Sequence, residues 1–175
     1  MTGQGVKVAV LDTCIDYAHP DLATNLDQTN SVDFSQSTKT GDHATSVAGI
    51  IAAEKGNGRG GSGIAPDATL FGFSILNSDN SYSNWQKALG KAGEPSESVD
   101  IFNQSFGYAK ISQVYSYDTT FNTYYKWGTE NLRANKGALY FKAAGNYFEE
   151  YNNVCTGLNT NDDDLPCQNA NMDAD

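Results

Sequence analysis

Three groups in this sequence combine a reactive side chain with a setting that could use it: a carboxylate, an imidazole and an amide, each beside an apolar run. The carboxylate is Asp12, directly after the β-branched run Val6-Lys7-Val8-Ala9-Val10-Leu11. That run predicts a buried parallel strand, and the carboxyl ends of such strands are where open sheets place their chemistry. The imidazole is His43, at the first turn of a helix expected over 44–54, where Ala-Thr-Ser-Val-Ala-Gly-Ile-Ile-Ala-Ala-Glu is small and apolar almost all round and so suits a buried helix. The amide is Asn146, which closes Ala143-Ala144-Gly145-Asn146 after an apolar run over 138–144. Singly, each has an ordinary explanation, since an Asp after a strand is usually a cap or turn residue and a lone histidine is usually solvated.

Other constellations fail on context. Gly58-Arg59-Gly60-Gly61-Ser62-Gly63 fits G-x-G-x-x-G letter for letter. That fingerprint needs a strand before it and a helix after it, so that a helix amino end faces the pyrophosphate; here the order is reversed. No G-x-x-x-x-G-K-[ST] occurs, and a phosphoaspartyl phosphatase would want an Asp where Cys14 stands. Cys155 and Cys167 bracket a polar segment rich in Asn and Asp. Closing that loop would stabilise by about 3 kcal/mol in the chain-entropy model, which reads as a disulfide and an oxidising compartment; two unpaired thiols in a cytosolic loop are the alternative. Cys14 is then a free thiol. Two cysteines without further ligands make a poor zinc site, and Asp162-Asp163-Asp164 is most simply a solvated run, with calcium as the lesser option.

The elements that must hold these groups alternate. Strands are expected over 69–75, 99–105 and 138–144, with helices over 84–93 and about 115–135. Alternation implies a mainly parallel sheet covered on both faces, a three-layer α/β/α fold. The 175 residues, 39% hydrophobic, suffice for one core. Eleven Lys plus Arg against 21 Asp plus Glu leave a net charge of -10, which argues against a nucleic-acid surface. No apolar run reaches the roughly 20 residues of a membrane span, and the first residues lack a signal-peptide layout.

Four motifs in chain order resemble the subtilisin-like serine peptidases: Asp12-Thr13, His43-Ala44-Thr45-Ser46-Val47-Ala48-Gly49, Asn103-Gln104-Ser105-Phe106-Gly107 and Ala143-Ala144-Gly145-Asn146. His19-Pro20-Asp21-Leu22 and Gly63-Ile64-Ala65-Pro66-Asp67-Ala68 match as well, and the stretches around 32–34 and 69–76 look like the kexin-related branch. The resemblance covers about residues 3–147 and leaves 148–175 as an acidic insertion or unfinished connection. It implies a subtilisin-like fold, incomplete at its carboxyl end, and a peptide or protein substrate. A serine hydroxyl is a weak nucleophile, so a neutral imidazole must take its proton; the resemblance gives that role to His43. Asp12 would fix its tautomer. Asn146 would donate to the oxyanion, an interaction whose removal from subtilisin costs about 3 to 4 kcal/mol. Ser105, Phe106 and Gly107 would form the substrate strand that pairs with an extended peptide. Asp21 and Asn57 align with positions that hold a structural calcium in many relatives; no organic cofactor is implied. A secreted, extracellular or periplasmic location goes with the disulfide reading.

Departures from the family pattern set further expectations. Cys14 and Ala44 replace glycines beside Asp12 and His43, and a glycine that required positive φ could not become Cys without strain. No G-T-S-x-x-x-P segment follows Asn146. The expectation is therefore an amino-terminal part of a catalytic domain, inactive alone, with the nucleophile on a missing carboxyl-terminal part. Tyr108-Ala109-Lys110, after the substrate strand, offers no carboxylates for basic specificity. A catalytically inactive relative that binds a partner through the same groove is the main alternative; an unrelated flavodoxin-like domain is a third.

Overall fold

The computed structural model describes residues 1–34, 41–76, 78, 81–91, 93, 96–107 and 119–143. In chain order its elements are β1 (Lys7–Asp12), β2 (Val32–Asp33), α1 (Asp42–Ala52), β3 (Thr69–Ser74), α2 (Tyr82–Ala88), a short 3₁₀ turn (Ser96–Ser98), β4 (Ile101–Gln104), α3 (Thr119–Asn135) and β5 (Leu139–Lys142). The five strands form one sheet in the order β2-β3-β1-β4-β5, and every pairing is parallel. This is the expected α/β architecture. The two-residue strand β2 lies at one edge, too short for an alternation pattern to reveal it.

The first strand is flanked by β3 and β4: the chain runs from β1 to the edge strand β2, returns through α1 to β3, and then passes β1 through α2 to β4. The two helices cover opposite faces of the sheet. On one face Ala44, Ala48 and Ala52 of α1 meet Val8, Val10 and Leu70. On the other, Trp85, Ala88 and Leu89 of α2 and Tyr124 and Leu132 of α3 meet Ala9, Leu11, Phe71, Phe73 and Phe102. Strand period two assigns the faces. Ala9 and Leu11 look toward α2 and α3, so Val8, Val10 and Asp12 look toward α1.

Two details of α1 follow from neighbours distant in sequence. Its carboxyl end is held by Asn25, whose Nδ2 donates to the carbonyl of Ala52 at 2.9 Å and to that of Pro66 at 2.8 Å. Its amino end starts at Gly41, which has no side-chain cap and lies hard against Thr13; a Cβ there would stand 1.9 Å from Thr13 Oγ1. Farther along the sheet this face is open: Leu139 and Phe141, on β5 beside Ile101 and Asn103, are 59% and 54% exposed. Expected strand ends at 105 and 144 retract to Gln104 and Lys142, and the helix expected over 84–93 runs over Tyr82–Ala88, started by the side chain of Ser81 accepting from the Asn84 N–H.

Candidate active site

Asp12 and His43 are brought together. Asp12 ends β1 on the α1 side of the sheet, at the point where the strand order reverses, and is fully buried. His43 is the second residue of α1, and its Nδ1 lies 2.8 Å from Asp12 Oδ2. A buried carboxylate without partners would be costly. Here Oδ2 meets the imidazole and Oδ1 accepts the backbone N–H of Thr13 at 2.6 Å. The carboxylate can only accept, so Nδ1 carries the proton and the lone pair of a neutral ring sits on Nε2. The His43 side chain is 60% exposed. The pair thus offers a base whose tautomer is fixed from behind and whose other nitrogen is open to solvent.

The substitutions at Cys14 and Ala44 cost no backbone strain. Among the described residues the only non-glycine positions with positive φ are Arg133, Ala134 and Asn135, so Cys14 keeps an ordinary conformation. Its thiol is buried, donates to the carbonyl of Ile15 at 3.5 Å, and stays protonated well above the usual range, because burial disfavours the thiolate and Asp33 and Asp16 add to that. Ala44 is fully buried against the sheet.

Ser105, Phe106 and Gly107 leave the carboxyl end of β4, adjacent to the Asp12 end of β1. Ser105 Oγ accepts from Asn103 Nδ2 at 2.9 Å. Phe106 packs against Trp85 of α2, ring centroids 5.8 Å apart, and so turns away from the face that carries the Asp12–His43 pair. Ala143, the first residue of the Ala-Ala-Gly-Asn motif, donates its N–H to the carbonyl of Gln104 at 2.9 Å; the rest of that motif lies outside the described residues. Asn146, Cys155 and Cys167 lie outside the described residues. Ser46 is bonded within its own helix, donating to the Asp42 carbonyl at 2.7 Å. His19 accepts the Asp21 N–H through Nδ1 at 3.3 Å, a turn role. Asp21 and Asn57 are in contact, 2.7 Å from Oδ1 to Nδ2.

A family model described as the subtilase family matches residues 3–164. The chain belongs to the subtilase family. This match runs beyond the 3–147 covered by the sequence motifs. An Aeromonas extracellular serine protease from Aeromonas sobria is 38% identical, with 98% of this chain and 29% of that protein covered. Subtilisin from Bacillus sp. (strain TA39) is 32% identical over 82% of this chain and 34% of its own length. The crystal structure of the Aeromonas sobria serine protease superimposes with a TM-score of 0.71 at 40% identity, covering 84% of this chain and 26% of that one. The subtilase chain therefore spans about a third or less of the length of these curated relatives.

Sequence reasoning gave no role to Gly41 or Asn25 and quoted Thr45 only as part of the His43 motif; all three position this subtilase site without taking part in it. Thr45 Oγ1 donates to the Gly41 carbonyl at 2.9 Å and accepts the Asp16 N–H at 3.0 Å, tying the first turn of α1 to the loop after β1.

Proposed function

We propose that this chain is the amino-terminal part of a subtilisin-type serine endopeptidase catalytic domain, hydrolysing peptide bonds through an Asp-His-Ser triad. The observation that carries the reading is the 2.8 Å contact between His43 Nδ1 and buried Asp12. In it His43 Nε2 takes the proton of the nucleophilic serine as its oxygen attacks the peptide carbonyl, and later returns that proton to the leaving amine. Asp12 stabilises the imidazolium formed between those steps. Asn146 donates to the oxyanion, and the backbone of Ser105, Phe106 and Gly107 pairs with the extended substrate. The serine lies outside these 175 residues, since none of those present stands in a G-T-S-x-x-x-P setting. Unstrained Cys14 and Ala44 beside an intact pair favour this enzyme over a non-catalytic binder. A place of action outside the cytoplasm is supported by the extracellular relative.

The test uses a longer polypeptide extending through the nucleophile segment. It is expected to cleave a peptide substrate, and His43→Ala to lower kcat by at least about 10⁴-fold. Stoichiometric labelling of the 175-residue chain by a serine-directed phosphonate would sink the assignment of the nucleophile.

A further inference from the structure

The resemblance implies a structural calcium at Asp21 and Asn57, and the groups gathered there do not suit a cation. Asp21 is only 6% exposed. Its Oδ1 accepts from Asn57 Nδ2 at 2.7 Å and its Oδ2 accepts the backbone N–H of Gly61 at 3.3 Å. Gly60, with φ +44, presses on the same oxygen, so that a Cβ there would come within 2.2 Å of it. Calcium asks for six to eight converging oxygens; this carboxylate is faced by N–H donors. The Asn57 amide is oriented by both its ends, because its Oδ1 accepts the Arg59 N–H at 2.9 Å and its nitrogen must then face Asp21. A second acid, Glu54, is engaged through N–H and O–H donors as well: its Oε2 accepts from Thr24 Oγ1 at 3.1 Å and, at 3.5 Å, from the same Asn57 Nδ2, and its N–H donates to the Asp21 carbonyl at 2.9 Å. No group of three or more His, Cys, Asp or Glu side chains suited to a metal occurs among the described residues.

We propose that Asp21 is a metal-free staple: its buried carboxylate ties the glycine-rich loop 55–63 to the turn at 19–22 through N–H donors while its backbone carbonyl holds Glu54 just past α1, so this corner holds its shape without calcium. The loop needs such a tie. Gly56, Gly58 and Gly60 all sit at positive φ, and a chain with that many glycines loses much conformational freedom on ordering. Charge-assisted bonds to a desolvated carboxylate are the strong kind that can offset it. From the end of the loop onward, Gly63, Ile64 and Ala65 donate to the carbonyls of Ala53, Ile50 and Ile51, and the chain then enters β3. The staple thus acts at the end of α1 opposite His43, and the proposal stands apart from the catalytic reading.

Heat unfolding of the 175-residue chain, and its rate of proteolytic nicking within 55–63, should be the same in excess EGTA and in millimolar calcium chloride, with melting temperatures within about 1 °C. Asn57→Asp sets a second carboxylate against Asp21. That variant should melt lower than wild type in EGTA and recover in calcium, and folding of the variant only in calcium would count the same way. The staple is overturned if the wild-type loop is nicked faster in EGTA and melts lower by about 3 °C or more, with both calcium effects abolished in Asp21→Asn.

Discussion

On one face of the sheet α1 lies against Val8, Val10 and Leu70 through Ala44, Ala48 and Ala52, whereas on the other α2 and α3 meet Phe71, Phe73 and Phe102 through Trp85, Leu89, Tyr124 and Leu132. A helix whose contact stripe carries only methyl groups can approach a sheet closely, because side-chain size sets the separation. That closeness is what lets a residue at the head of α1 reach a carboxylate at the end of β1. The aromatic face buries far more apolar area, about 1.5 to 3 kcal/mol for each large side chain, and adds ring contacts such as the stack of Phe102 on Tyr140 at 4.7 Å. The small-residue face governs the distance between two polar groups; the aromatic face supplies most of the stability. Even Phe106, in the segment expected to bind substrate, is anchored to the aromatic side.

Mutating each face separates these roles. Phe102→Ala should give the largest change in stability, about 3 to 5 kcal/mol lost in urea unfolding, since the side chain is fully buried and its void can collapse only partly. The hydrogen-bonded Nδ1 proton of His43, read by NMR, should stay where it is. Ala48→Leu should cost less, about 1 to 3 kcal/mol from overpacking, yet shift that resonance, because the helix must move outward and the 2.8 Å contact must lengthen. A shift of the His43 proton in Phe102→Ala, or none in Ala48→Leu, would break the division between the faces.

The same contrast explains what could be read from the residues alone. The alternation of runs showed the parallel sheet, and the order of motifs showed Asp12 and His43 as partners. Period two in β1 and the Ala44, Ala48, Ala52 spacing together contain the reason that they meet, because both point to one interface. Legibility failed where a feature depends on distant partners. Asn25 closes α1 from 27 residues away, and Gly41 matters through its approach to Thr13; neither interaction leaves a local pattern. Asp21 and Asn57 were linked only by what the family resemblance implies. Their donors and acceptors, which decide whether a cation fits, were not legible. The helix expected to about 135 does reach Asn135, but its backbone is non-helical at Leu132, Arg133 and Ala134, where the chain turns to enter β5, a departure no local pattern reveals.

That turn yields the smallest and most discriminating prediction. Arg133, Ala134 and Asn135 take positive φ in succession, with Arg133 bonded to the Gly137 carbonyl at 3.0 Å and paired with Asp100. A left-handed conformation costs a residue with a Cβ about 1 to 2 kcal/mol, and tertiary contacts on either side hold it in place. Ala134 is exposed, so Ala134→Gly removes that cost without removing packing. After the added freedom of the unfolded chain is subtracted, it should raise stability by about 0.5 to 1 kcal/mol, a gain of roughly 1 to 4 °C in melting temperature. The identical change at Ala48, in right-handed helix and fully buried, should lower stability by about 1 kcal/mol or more. Opposite signs for one chemical substitution locate backbone strain at the turn before β5 and place α1 in relaxed geometry; equal signs would mean that the turn is not strained and that some other contact holds it.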